Sequence, residues 1–207
     1  MFTHRNPRKL AVALTATATL ALSLTACGGD EPTADPSAVQ TAENGDVFNN
    51  VDVSFAKDMI PHHTQALEMV DLTEGRTLEP AVQQLADAIR GAQAPEIETM
   101  TGWLTSWGED VADTSEGGHD MDDMGGEDMG GMSGMMTSED MDALANASDA
   151  EFQDMWLTMM VEHHTGAVEM AKVEQADGEF ADAIALAASI ETSQEAEIAT
   201  MEGLLAA

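Results

Sequence analysis

Met59-Ile60-Pro61-His62-His63-Thr64-Gln65-Ala66-Leu67-Glu68-Met69 recurs, 101 residues on, as Met160-Val161-Glu162-His163-His164-Thr165-Gly166-Ala167-Val168-Glu169-Met170. The repeat extends outward without a gap, from Phe55–Leu104 to Trp156–Leu205. Within it, Gln93-x-x-Glu96-Ile97-x-Thr99-Met100 returns as Gln194-x-x-Glu197-Ile198-x-Thr200-Met201. The residues kept in both copies are mostly His, Met, Gln and Glu, side chains able to bind a metal.

The spacing inside each copy is helical. Phe55, Met59, His62, His63, Ala66 and Met69 fall at three- and four-residue steps and share one face, with Glu68 turned to solvent. Gly75 and Pro80 mark a turn, and a second helix is predicted from about Ala81 to Trp107 with Leu85, Ile89, Ile97, Met100 and Leu104 as its stripe. In the second copy a short helical turn is expected around Met141 to Ala145, and Ser148-Asp149-Ala150-Glu151 reads as a capping box. A long helix should follow through Phe152, Trp156, Met160, His163, His164, Ala167 and Met170, then a turn at Asp177-Gly178 and a last helix from about Glu179 to Leu205. Pro61 and Pro95 lie inside predicted helices and should bend the first hairpin more than the second, where Glu162 and Ala196 take their places. One such hairpin buries too little surface to stand alone, whereas two packed together can. The expected fold is all-α: a four-helix bundle over residues 46–207, with repeat halves 46–109 and 138–207 joined by a long disordered Met/Gly/Asp-rich crossover, 110–137. No strand signal rises above background.

Ahead of this domain, Arg5, Arg8 and Lys9 precede an apolar run, Leu10 to Leu24, that ends in Leu24-Thr25-Ala26-Cys27. Residues 1–26 read as a lipoprotein signal peptide, with Cys27 as the lipidated residue. An ordinary signal peptide or a short membrane helix is the alternative, but the run is shorter than the roughly 20 residues a span requires. Cys27 is the only cysteine, so no disulfide and no thiolate ligand remains. Residues 27–45, poor in apolar side chains, read as a disordered tether. The mature protein is then expected outside the cell membrane, held to its outer face by lipid. It keeps Lys57, Arg76, Arg90 and Lys172 against 39 carboxylates, a net charge near −35. Such a charge excludes nucleic acid and anionic lipid surfaces as partners, and favours solubility and an atmosphere of cations.

The chemistry depends on where the His and Met side chains point. Met59, His62, His63, Ala66 and Met69 cover the part of the helix that must face the core, as do Met160, His163, His164, Ala167 and Met170. Gln93, Glu96, Gln194 and Glu197 fall on the apolar faces of the partner helices. Buried imidazoles and carboxylates need partners. One reading is a structural network of His, Gln and Glu with Met as filler. The other is a metal site: neutral imidazole with thioether suits copper, and thioether particularly suits Cu(I). His62, His63, His163 and His164 are the candidate ligands, with Met59, Met160, Met69 and Met170 as soft ligands. Glu96 and Glu197 would orient the imidazoles or ligate directly. In the crossover, His119, Met121, Met124, Met129, Met132, Met135 and Met136 are spaced by Gly and Asp with no core to fill, and are expected to capture Cu(I) loosely.

At these residues the sequence resembles the DUF305 family, whose pattern is an aromatic, Met-Ile-x-His-His-x-x-Ala-x-x-Met, then Gln-x-x-Glu-Ile-x-x-Met and Trp-Leu. Here that is Phe55, Met59-Ile60-Pro61-His62-His63, Ala66, Met69, Gln93, Glu96-Ile97, Met100 and Trp103-Leu104, and the second copy matches with Trp156 as the aromatic. Pro95 and Leu204, which replaces the second Trp, depart from the pattern. The resemblance implies an exported, ferritin-like four-helix bundle in a family with members linked to copper binding and resistance. The expected function is extracytoplasmic copper buffering or sequestration by a lipid-anchored protein, without catalysis and with an unidentified copper-handling protein as a possible partner. The alternatives are a metal-free structural or interaction module and a di-iron-type oxidase. The oxidase needs more inward carboxylates than the one Glu each half supplies, and a Glu-x-x-His motif that neither half contains.

Overall fold

Asn49 opens the first long helix, α1 (Asn50–Asp71), through a capping box. Its side chain accepts from the amides of Val51 and Asp52 at 2.7 and 3.2 Å, and the Asp52 carboxylate accepts from the Asn49 amide at 2.6 Å. Pro80 begins α2 (Pro80–Trp107), where a missing N–H leaves nothing unsatisfied, and Gly108, at φ +76°, ends it. A short helix, α3 (Ser138–Asn146), leads into α4 (Asp149–Asp177) and α5 (Ala181–Leu205). The computed structural model that shows this describes residues 37–111 and 133–207. α1 packs on α2, α4 on α5 and α1 on α4, while α2 and α5 barely touch. The all-α bundle of two hairpins read from the repeat is the architecture. α1 runs unbroken through Pro61, and α2 through Pro95.

The two repeats complete each other at the helix ends. Neither α2 nor α5 receives a hydrogen bond from its own N-cap side chain. Instead Gln153, on α4, accepts from the Glu79 amide at 2.9 Å. Asp52, on α1, accepts from the amides of Glu179 and Phe180 at 3.1 and 2.9 Å. Asp52 and Gln153 are equivalent positions 101 residues apart, as are Glu79 and Phe180. Each hairpin's second helix is therefore capped by the other hairpin's first. A cap contributes about 1 kcal/mol, and here it exists only when the halves are docked.

Four expectations change. Residues 40–48, assigned mostly to the tether, form a small antiparallel hairpin, β1 (Gln40–Thr41) with β2 (Val47–Phe48), Gln40 opposite Phe48. It closes one end of the bundle: Phe48 stacks on Trp107 at 4.6 Å, and Asp46 accepts from the Trp107 indole at 3.3 Å. The helix before α4 is a full nine residues, held by its own capping box between Thr137 and Asp140. The box expected at Ser148 does not close, because the Ser148 hydroxyl donates to the Glu151 carboxylate at 2.7 Å and leaves the amides to the backbone. Met136, placed in the crossover, is buried in the core. The signal peptide, Cys27, the start of the tether and crossover residues 112–132 lie outside the described residues.

Candidate metal centre

The apolar core is in two parts, and every long helix passes from one to the other. α1 contributes Val53 through Ile60 to one cluster and Ala66 through Val70 to the second, with His62 and His63 between. Gln93 and Glu96 interrupt α2 in the same way, His163 and His164 interrupt α4, and Gln194 and Glu197 interrupt α5. The repeat thus places one polar layer across the middle of the bundle. Met59 and Met100 border it on one side, Met160 and Met201 on the other, all with no exposed surface.

Within that layer all four imidazoles are completely buried. The rings of His62 and His163, one from each repeat, lie 3.8 Å apart between centroids. His63 Nε2 bonds the Glu96 carboxylate at 2.7 Å, and His164 Nε2 bonds Glu197 at 2.8 Å. A carboxylate only accepts, so Nε2 is the donor in both, and Nδ1 is the ring nitrogen left without a partner. This is the carboxylate–imidazole arrangement that orients a metal-ligating histidine. Glu96 and Glu197 are the partly exposed edge of the layer, at 16% and 17% of their side-chain surface.

The four Nδ1 atoms, together with Nε2 of His62 and of His163, have no hydrogen-bond partner. Both side-chain atoms of Gln93 and the oxygen of Gln194 share that condition. Burial lowers the His62 imidazole to about 3, helped by the nearby His63 and His164 rings. Burial, then His62, His164 and His63, holds His163 well below the usual range. Both rings are therefore neutral, as ligation requires. The Ser133 backbone borders His62 without a hydrogen bond of ordinary geometry.

The arrangement fits a soft cation better than a carboxylate-bound one. Among the described residues no three His, Cys, Asp or Glu side chains stand close enough to hold a metal by themselves. The buried methionines on either side of the layer carry thioethers, donors of the kind a histidine pair lacks. Met59, Met69 and Met160 are fully buried; Met170 is only partly so, packed against the first cluster. Met135 is partly buried, Met136 is in the second cluster, and His119, Met121, Met124, Met129 and Met132 lie outside the described residues. Met100, read from the sequence as apolar stripe, and its counterpart Met201 both stand in the repeated Gln-x-x-Glu-Ile motif and flank the layer.

Residues 52–205 match the model of DUF305, a domain of unknown function. The chain belongs to the DUF305 family. A candidate secreted DUF305 protein from Streptomyces coelicolor has the same fold at 36% identity and a TM-score of 0.64, over 75% of this chain and 92% of that one. A DUF305 fragment from Deinococcus radiodurans is 26% identical with a TM-score of 0.64, over 81% of this chain and 99% of its own. CopM, in a Cu(I)-bound form, is 28% identical with a TM-score of 0.59 over 74% of this chain and 94% of its own. It is also known in Cu(II)-bound and silver-bound forms. Comparison with curated proteins gives no match. Among the described residues of this DUF305 chain, no helix is long and apolar enough to cross a membrane.

Proposed function

We propose that this DUF305 chain binds copper, Cu(I) above Cu(II), in the polar layer, and buffers or sequesters it outside the cytoplasm while held to the membrane by a lipid on Cys27. The observation that carries this is the set of six imidazole nitrogens that are buried and without a hydrogen-bond partner, on helices that also carry buried methionines one turn away. His62, His63, His163 and His164 would ligate, no more than two of them to one cation, with Met59 and Met160 as soft donors and Glu96 and Glu197 fixing two of the rings. Met69, Met170 and the crossover residues His119, Met121, Met124, Met129, Met132 and Met135 would serve as a weaker outer set. Metal-bound CopM supports the reading for the family. The chain acts in it as a binder without turnover.

A metal-free network is the second reading, favoured by the two His–Glu bonds. It leaves His62 and His163 unexplained. Titration of the full chain with Cu(I) and with Cu(II), against a variant with His62, His63, His163 and His164 changed to Gln, separates the two. Loss of binding in the variant is expected; unchanged affinity would overturn the proposal.

A further inference from the structure

The described end of the crossover, residues 133–136, passes over α4 at the histidine layer. Ser133 and Gly134 cross α4 at Gly166, so closely that a side chain on Gly166 would land on the Ser133 carbonyl oxygen. Gly134 is itself at φ +80°, and a Cβ there would meet the carbonyl oxygens of Glu162 and His163 at 2.8 and 2.9 Å. Two residues later the Gln65 side chain holds the strap from α1: its amide nitrogen donates to the Met136 carbonyl at 2.9 Å, and its oxygen accepts from the Met136 amide at 2.7 Å. The Ser133 hydroxyl donates to Glu169 at 2.5 Å. The strap therefore spans α1 and α4, the two helices that carry His62 and His163.

Gln65 and Gly166 are the same position of the repeat. The flanking Thr64, Ala66, Thr165 and Ala167 are kept in both copies, while this position differs, and each version serves the strap. We infer that residues 133–136 are a removable cover over the His62–His163 pair, seated on Gly166 and clasped by Gln65, and that opening it sets the rate at which a soft cation reaches or leaves the layer. The inference rests on the metal-binding reading for its cargo but not for the cover itself.

Gly166→Val removes the seat and Gln65→Ala removes the clasp, and neither residue belongs to the ligand set. In the metal-free full chain, the histidines of the layer should be protected from diethylpyrocarbonate in the wild type and react about tenfold faster in each variant. Tenfold is the factor that loss of roughly one to two hydrogen bonds represents. With Cu(I) bound, transfer to a colorimetric chelator should accelerate by a similar factor at unchanged stoichiometry. Unchanged imidazole reactivity in the Gln65→Ala variant, folded by circular dichroism, would overturn the cover, whatever the metal does. If Gly166→Val fails to fold, Gln65→Ala alone decides, since it alters only a half-buried side chain. Faster imidazole modification without any copper binding would keep the cover and sink the metal-binding reading instead.

Discussion

Replacing His62 and His163 together by Leu should make the metal-free protein more stable. The two rings lie 3.8 Å apart with no exposed surface, and neither makes a hydrogen bond through either nitrogen. A buried polar group without a partner costs about 1–3 kcal/mol, and burial keeps both rings neutral, so no charge offsets that cost. Leu has similar bulk and no polar atoms, although imperfect shape returns part of the gain, about 1 kcal/mol or more. A net stabilisation of about 2 kcal/mol is expected, which for a domain of this size raises Tm by about 4–8 °C. Metal reverses the order. A cation at 100 times its Kd stabilises the wild type by about 2.7 kcal/mol, and the variant should gain nothing. Thermal melts of the full chain followed by circular dichroism, with a chelator and then with Cu(I) or Ag(I), would show the two curves exchanging places. A variant that is clearly less stable in chelator would refute the reasoning, because it would mean the rings are satisfied members of a structural network.

Two other outcomes follow from the buried charges and the shared caps. Glu174 is completely buried and pushed up to about 9, by burial first and then by the neighbouring Asp52 carboxylate, so from pH 4.5 to 9 the folded chain holds a proton that the unfolded chain releases. Stability should therefore fall as pH rises through that window, by at most about 1.4 kcal/mol per unit. The depressed His62 and His163 act oppositely: below pH 6.5 the unfolded chain takes up protons the folded one refuses, and stability falls as pH drops. Urea midpoints of the metal-free protein should thus peak near pH 6.5, and Glu174→Gln should flatten the alkaline limb; a limb that survives this substitution has another source. Asp52→Ala removes the acceptor of three backbone amides and should cost about 3 kcal/mol, against about 1 kcal/mol for Gln153→Ala; equal costs in urea unfolding would show that the shared caps do not hold the halves together.

What the sequence made legible was whatever the repeat states twice. The helices, their pairing into hairpins and the inward set of His, Gln and Glu all follow from a helical period seen in two copies. The features it hid depend on partners distant in sequence. Residues 40–48 carry little apolar surface, and only the stacking of Phe48 on Trp107 makes their order intelligible. Met136 sits in a stretch whose Gly content argues against a core, yet it is buried because Gln65 fixes its backbone. Glu174 occupies the position of Thr73 and gives no sign of burial; its environment is made by Asp52, from the other half.

Two of these hidden features, at Gln65 and at Glu174, fall where the two copies differ, and for the first of them symmetry explains why. Two identical hairpins packed about a twofold axis must present the same residue at equivalent places. The central layer can be built that way, because His63–Glu96 and His164–Glu197 are the same contact made twice. A single strand of chain crossing the pair cannot. It meets one copy on one side and the other copy on the other, and needs a bare backbone to lie against here and a hydrogen-bonding side chain to hold it there. Gly166 and Gln65 meet those two needs from one position of the repeat. Exchanging them, Gln65→Gly with Gly166→Gln, keeps the composition of the chain and every residue of the layer, so loss of imidazole protection in that variant would locate the function of the strap in the broken symmetry itself. Retained protection would show that the strap is seated by its own sequence, and that the difference between the copies is incidental to it.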